Sequence, residues 1–70
     1  MKREFIKSRS LLTVGYDPEK KILELEFING SVYRYSNVPK SVYLTLLTAD
    51  SKGAYFNRRI RDRFVSRKIR

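Results

Sequence analysis

Residues 21–35 read KILELEFINGSVYRY, and this stretch decides the fold. From Lys21 to Ile28 apolar and charged residues alternate, which is typical of a strand with one buried face. Asn29-Gly30 follows, and this pair is the strongest short signal for a β-hairpin because both residues accept a positive φ. The sequence therefore predicts a hairpin whose second strand is Val32-Tyr33-Arg34-Tyr35.

Two registers are compatible with this hairpin. A strict two-residue loop places Tyr33 and Tyr35 on the face of Glu24 and Glu26, where aromatic rings next to Arg34 could stack on unpaired bases. A three-residue loop with a Gly-centred bulge places both tyrosines with Leu23, Leu25 and Phe27, as core or core rim, and puts Arg34 beside a glutamate. The second register gives a continuous apolar face and pairs opposite charges, so the pattern favours it.

Outward from the hairpin, residues 11–16 form an earlier strand, and Asp17-Pro18-Glu19-Lys20 is a turn. After Val38-Pro39 the period changes to that of an amphipathic helix, which ends near Ala49-Asp50. Ser51 caps a second helix that buries Phe56, Ile60 and Phe64. We expect an α+β domain over residues 1–70: a three-stranded antiparallel β-meander followed by two short helices on one sheet face. Residues 1–8 and 66–70 are expected to fray.

Positive charge is concentrated at the carboxyl end. The chain has 16 Lys and Arg against 7 Asp and Glu, a net charge of +9. Residues 36–70 carry nine of the basic residues and only two acids, so this half alone contributes +7. Such a one-sided field attracts polyanions, because basic groups near phosphates release condensed counterions. Five residues are the candidate phosphate contacts: Lys52, Arg58, Arg59, Arg61 and Arg63.

The composition also limits the chemistry. The chain contains no Cys and no His, so it has neither thiolate ligands nor the commonest general base and metal ligand. Its carboxylates show no paired spacing beyond strand alternation, and its serines and tyrosines have no His partner. We therefore expect a non-catalytic protein without metal or cofactor. No apolar run suggests a signal peptide or membrane span, which favours the cytoplasm.

Several separated motifs resemble the KTSC domain family, which is named for a domain at the carboxyl end of some lysyl-tRNA synthetases and also occurs as small stand-alone bacterial proteins. The motifs are Val14-Gly15-Tyr16-Asp17, Leu23-Glu24-Leu25-Glu26-Phe27, Gly30 with Tyr33-Arg34-Tyr35, Val38-Pro39, and Ser51-x-Gly53-x-Tyr55-Phe56-Asn57 with Ile60-Arg61. Tyr33-Arg34-Tyr35 corresponds to the central Tyr-x-Tyr that marks the family. The chain departs from the family near its end, where Phe64-Val65 replaces a Tyr-Pro.

Two functions are compatible with these features. The basic asymmetry and the synthetase association favour a nucleic-acid-binding module, with RNA, tRNA among the candidates, as the partner. Tyr33, Tyr35 and Arg34 would then be the stacking contacts. The alternative is a protein-interaction module in which the tyrosines and a sheet edge contact a partner chain and the arginines meet an acidic surface. The sequence leaves the oligomeric state open.

Overall fold

The computed structural model describes all 70 residues, Met1 to Arg70. It contains an antiparallel sheet of five strands in the order β1-β2-β3-β4-β5, and two helices. The elements are β1 (Arg3–Phe5), β2 (Leu11–Asp17), β3 (Ile22–Phe27), β4 (Val32–Tyr35), α1 (Lys40–Thr48), α2 (Lys52–Arg59) and β5 (Ser66–Lys68). The fold is therefore α+β as predicted, but the prediction of three strands was wrong. The two additional strands are formed by the terminal segments that we expected to fray.

The hairpin has the three-residue register. The Phe27 amide donates to the Ser31 carbonyl at 2.8 Å, and Gly30 adopts a φ of +94°. Tyr33 consequently lies opposite Leu25, and Arg34 lies opposite Glu24. Both tyrosines therefore share the apolar face, as the pattern favoured.

Helices α1 and α2 cover that apolar face. The core is a cluster of nine buried residues: Leu11, Val14, Leu23, Leu25, Tyr35, Val38, Leu46, Phe56 and Ile60. Tyr16 fixes the start of α1, since its ring stacks on Tyr43 at a centroid distance of 4.8 Å and its hydroxyl donates to the Val38 carbonyl at 2.6 Å. The amphipathic stripe of α1 thus packs on the sheet as expected.

The opposite sheet face is open and carries all three ion pairs of the chain. Glu24 is buried and binds the Nε atoms of Arg34, at 2.7 Å, and Arg3, at 3.2 Å. Glu26 binds Nη2 of Arg70 at 3.0 Å. Gly15 separates Arg3 from Glu24 in the sheet, and a Cβ there would lie 2.8 Å from Cγ of Arg3. The missing side chain lets Arg3 cross β2 to reach the carboxylate, which attaches β1 to the sheet.

Helix α2 begins as predicted and ends earlier. Ser51 Oγ accepts from the Ala54 amide at 3.2 Å, and Phe56 and Ile60 are buried. The amides of Ile60 and Arg61 both donate to the Phe56 carbonyl at 2.9 Å, which closes the helix after Arg59. The expectation of a helix continuing toward Phe64 was wrong, and Arg61 lies in the following turn. No helix in the protein has the length and apolar character needed to cross a membrane.

Candidate nucleic-acid interface

Three of the predicted arginines lie together beside Tyr55. Arg58, Arg59 and Arg63 are exposed and, with the half-buried Tyr55, line a depression of about 460 Å³. Arg59, Arg63 and Tyr55 also border a second depression of about 410 Å³ that reaches α1. We call Arg58, Arg59 and Arg63 the arginine patch.

The arginine patch has no carboxylate partner. All three ion pairs use Glu24 or Glu26 on the sheet. Asp62, the acid nearest in sequence to Arg58 and Arg59, forms no ion pair with either of them within 4.0 Å. The patch therefore presents uncompensated guanidinium groups, which can form bidentate hydrogen bonds with phosphate oxygens.

Arg61 lies on the other side of α2, in a cleft of about 730 Å³ between this helix and the sheet. Its wall on the helix side is formed by Gly53, Phe56 and Asn57, and its floor includes Tyr33 and Tyr35. The remaining lining residues are Ser10, Phe27, Ile28, Asn29, Ser31, Asp62 and Ser66. Many residues that carry the family resemblance therefore meet in one place.

The two predicted stacking tyrosines have different positions. Tyr35 is only 4% exposed and packs edge-to-face on Phe56 at 5.8 Å, so its ring is not free to stack on a base. Its assignment as a stacking contact is therefore corrected to a core residue. Tyr33 is half-buried at the border of the cleft, with its ring centroid 6.4 Å from that of Tyr35. Of the two, Tyr33 keeps exposed surface for a ligand.

Tyr35 nevertheless contributes to the lining of the cleft. Burial, with smaller contributions from Tyr33 and Asp62 and an opposing one from Arg61, raises the pKa of Tyr35 from 10.0 to about 12. At neutral pH the Tyr35 phenol is therefore protonated.

The structure separates Arg34 from the predicted phosphate contacts. Arg34 lies on the open sheet face, where its Nε binds the Glu24 carboxylate at 2.7 Å, a carboxylate that it shares with Arg3. It belongs to neither the arginine patch nor the cleft. Arg34 was expected to be a stacking contact beside Tyr33 and Tyr35, but the three-residue hairpin register places it on the sheet face opposite both rings.

Lys52 lines a third depression, of about 1000 Å³, which the sequence did not reveal. Lys52 Nζ donates to the Ala49 carbonyl at 3.1 Å. The depression also contains Lys7 and Arg9, which come from the amino-terminal segment, and one acid, Asp50. We call Lys7, Arg9 and Lys52 the basic basin. Lys7 and Arg9 lie near α2 because Ser10 packs against Gly53, and a local sequence pattern cannot indicate such a long-range contact.

Comparison with known proteins identifies the family. Residues 7–64 match the model of the KTSC domain. The chain belongs to the KTSC domain family. The crystal structure of a KTSC domain protein from Yersinia pestis matches with a TM-score of 0.93 and 36% identity, covering 99% of this chain and 97% of that one. An uncharacterised protein of Stutzerimonas stutzeri is 54% identical over 81% of this chain and 80% of its own length.

A lysine–tRNA ligase of Nostoc shows a more limited similarity. It is 45% identical to this KTSC domain over 49 residues, which amount to 70% of this chain but only 9% of the ligase. The likeness is thus confined to a domain-sized segment of a much longer enzyme.

Proposed function

We propose that this KTSC domain is a non-catalytic nucleic-acid-binding module that prefers RNA, acts in the cytoplasm, and contacts phosphates through the arginine patch. The observation that carries the proposal is the grouping of Arg58, Arg59 and Arg63, all exposed and without acidic partners, around Tyr55. The segment shared with a lysine–tRNA ligase supports RNA as the class of ligand.

The charge distribution supports the same partner. Glu24 and Glu26 pair with arginines of the open sheet face, whereas Arg58, Arg59 and Arg63 on the helix side have no acidic partner. A net charge of +9 on 70 residues also exceeds the magnitude of about 2 to 8 that solubility of a small domain requires. Phosphate binding would use this excess, because each contact releases counterions from the nucleic acid.

The test is fluorescence anisotropy of labelled tRNA, single-stranded RNA and duplex DNA, with heparin as competitor. The informative variant is Arg58→Gln/Arg59→Gln. Its matched control is Lys20→Gln/Lys21→Gln, which removes the same charge from the exposed β2–β3 turn. We expect RNA to bind more tightly than duplex DNA at roughly physiological salt, and the arginine variant alone to lose most of that affinity.

Equal losses in both variants would show that only total charge matters, and the proposal would fail. It would fail equally if the three nucleic acids bound alike and heparin displaced them all at the same concentration. Melting temperatures of both variants should match the wild type, since all four substituted side chains are exposed.

A protein-interaction module is the second candidate, and the sheet edges favour it. Phe5 on edge strand β1 is 80% exposed, and Val65 before edge strand β5 is 77% exposed. An added strand from a partner would pair with the free edge and cover such side chains. Binding of this kind should weaken in Phe5→Ser, tolerate Arg58→Gln/Arg59→Gln, and depend little on salt.

A further inference from the structure

We propose that the cleft on the other side of α2 receives one unstacked base of single-stranded RNA, while neighbouring phosphates bind in the basic basin. This inference rests on the proposed nucleic-acid function and gives it a mode of recognition. The arginine patch alone would hold any phosphate backbone, whereas a base pocket reads single strands.

The floor of the cleft is aromatic. Phe27 and Tyr33 are half-buried, both line the cleft, and their rings meet edge-to-face at 5.8 Å. Phe27 also packs edge-to-face on the core residue Phe56 at 5.2 Å, which fixes the position of the Phe27 ring. Rigid aromatic side chains with remaining exposed surface are the platforms on which proteins stack unpaired bases.

Polar groups converge above this floor. Asn57 is exposed on the cleft side of α2, and an amide offers both donors and an acceptor to the edge of a base. Arg61 adds a cation and Asp62 an acid to the lining of the same cleft. The volume of about 730 Å³ lies within the size range of small-ligand sites, and the aromatic floor is surrounded by polar residues.

The cleft continues into the basic basin. The two depressions share Ser10, Gly53 and Asn57 as lining residues, so they adjoin at these residues. A Cβ at Gly53 would lie 3.0 Å from Ser10 Oγ, which shows how closely helix and loop approach there. Along the surface, the basic basin is therefore followed by these three shared residues and then by the aromatic cleft.

That order matches the chemistry of a nucleotide strand. Lys7, Arg9 and Lys52 would hold a phosphate on one side of the bound base, and Arg61 would hold one on the other. A base inside a duplex is stacked on both faces and paired along its edge, so it has no free surface for the cleft. Single-stranded RNA is thus the occupant that fits both the charge and the aromatic floor.

The experiment compares two fluorescein-labelled RNA hexanucleotides that differ only by an abasic central position. Both carry the same phosphates, so their affinity ratio isolates the contribution of the base. One stacked base is expected to tighten wild-type binding by about 5- to 150-fold. The oligonucleotides are titrated into wild type, Asn57→Ala, Tyr33→Leu and, as matched control, Arg58→Gln/Arg59→Gln.

We expect Asn57→Ala and Tyr33→Leu to reduce this ratio toward one while leaving abasic RNA affinity unchanged. The arginine variant should weaken both RNAs and keep the ratio. Asn57 is exposed on the helix, so its substitution leaves the fold intact and keeps the test valid if Tyr33→Leu is unstable.

A ratio near one in the wild type, with binding still lost in the arginine variant, would overturn the base pocket and leave the proposed function standing. A ratio that Asn57→Ala and a folded Tyr33→Leu do not change would place the base elsewhere and also overturn it. Absence of binding to either RNA would overturn both proposals.

Discussion

Substitution of Tyr35 tests whether the tyrosines of Tyr33-Arg34-Tyr35 support the fold or contact a ligand. Tyr35 is 4% exposed, belongs to the buried core cluster, and packs on Phe56 at 5.8 Å. Truncating a buried aromatic residue to alanine costs about 3 to 5 kcal/mol. A 70-residue domain has a total stability of only about 3.5 to 10 kcal/mol. Tyr35→Ala should therefore lose about a third or more of the free energy of unfolding, and all of it if the wild type lies at the lower end of that range.

The assay is urea unfolding followed by circular dichroism, with Tyr35→Phe and Tyr33→Ala as comparisons. Tyr35→Phe keeps the packing and loses only the hydroxyl, so it should cost less than about 1.5 kcal/mol. Tyr33 is half-buried, and Tyr33→Ala should fall between the other two. In the two-residue register both tyrosines would be exposed. A loss below about 1 kcal/mol for Tyr35→Ala would therefore refute the register and the assignment of the tyrosines to the helix-covered face.

Three further predictions concern the edge of the sheet, the α2 start and the pH response. Gly15→Ala should lower stability by about 1 to 3 kcal/mol and speed hydrogen exchange in β1, since the new Cβ meets Arg3 Cγ at 2.8 Å; unchanged exchange would contradict this. Gly53→Ala should raise stability by up to about 1 kcal/mol through helix propensity in a Ser10→Ala background, where the nearest remaining atom, the Cβ of residue 10, is 3.5 Å away. In the wild type the gain should be smaller, because the new Cβ would lie 3.0 Å from Ser10 Oγ. An equal gain in both backgrounds would contradict this. Because the folded pKa of Tyr35 is about 12 and its ordinary value is 10.0, folding favours the protonated phenol. This stabilisation is complete below pH 10 and lost between about pH 10 and 12, and absorbance titration should show one late tyrosine that is absent in Tyr35→Phe.

The middle of the fold was predictable because its signals are local. Alternation in residues 22–27, the Asn29-Gly30 turn and the Ser51 cap each identify an element from a few neighbouring residues. Strands β1 and β5 carry no such signal. Arg3–Phe5 and Ser66–Lys68 are short and largely polar, as edge strands often are, and only their backbone pairing to β2 and β4 defines them.

The sequence predicted which residues are candidates for ligand contact, but not where these residues lie relative to one another. The charge count identified the arginines, but the early end of α2 turns Arg61 to the cleft, away from Arg58. The hairpin register, which the pattern only favoured, decides that Arg34 binds Glu24 on the far face. The contribution of Lys7 depends on a long-range contact between Ser10 and Gly53, and a linear pattern contains no information about such a contact.

Phosphate binding by the arginine patch is tested most directly by the salt dependence of single-stranded RNA affinity. The proteins compared are wild type, Arg58→Gln/Arg59→Gln and Lys20→Gln/Lys21→Gln. Each phosphate contact contributes about −0.7 to the slope of log affinity against log salt concentration. We predict that the slope of the arginine variant is shallower by about 1.4 and that the lysine variant keeps the wild-type slope. Identical slopes in all three proteins would show that the arginine patch does not contact phosphates and would contradict the proposed nucleic-acid-binding function.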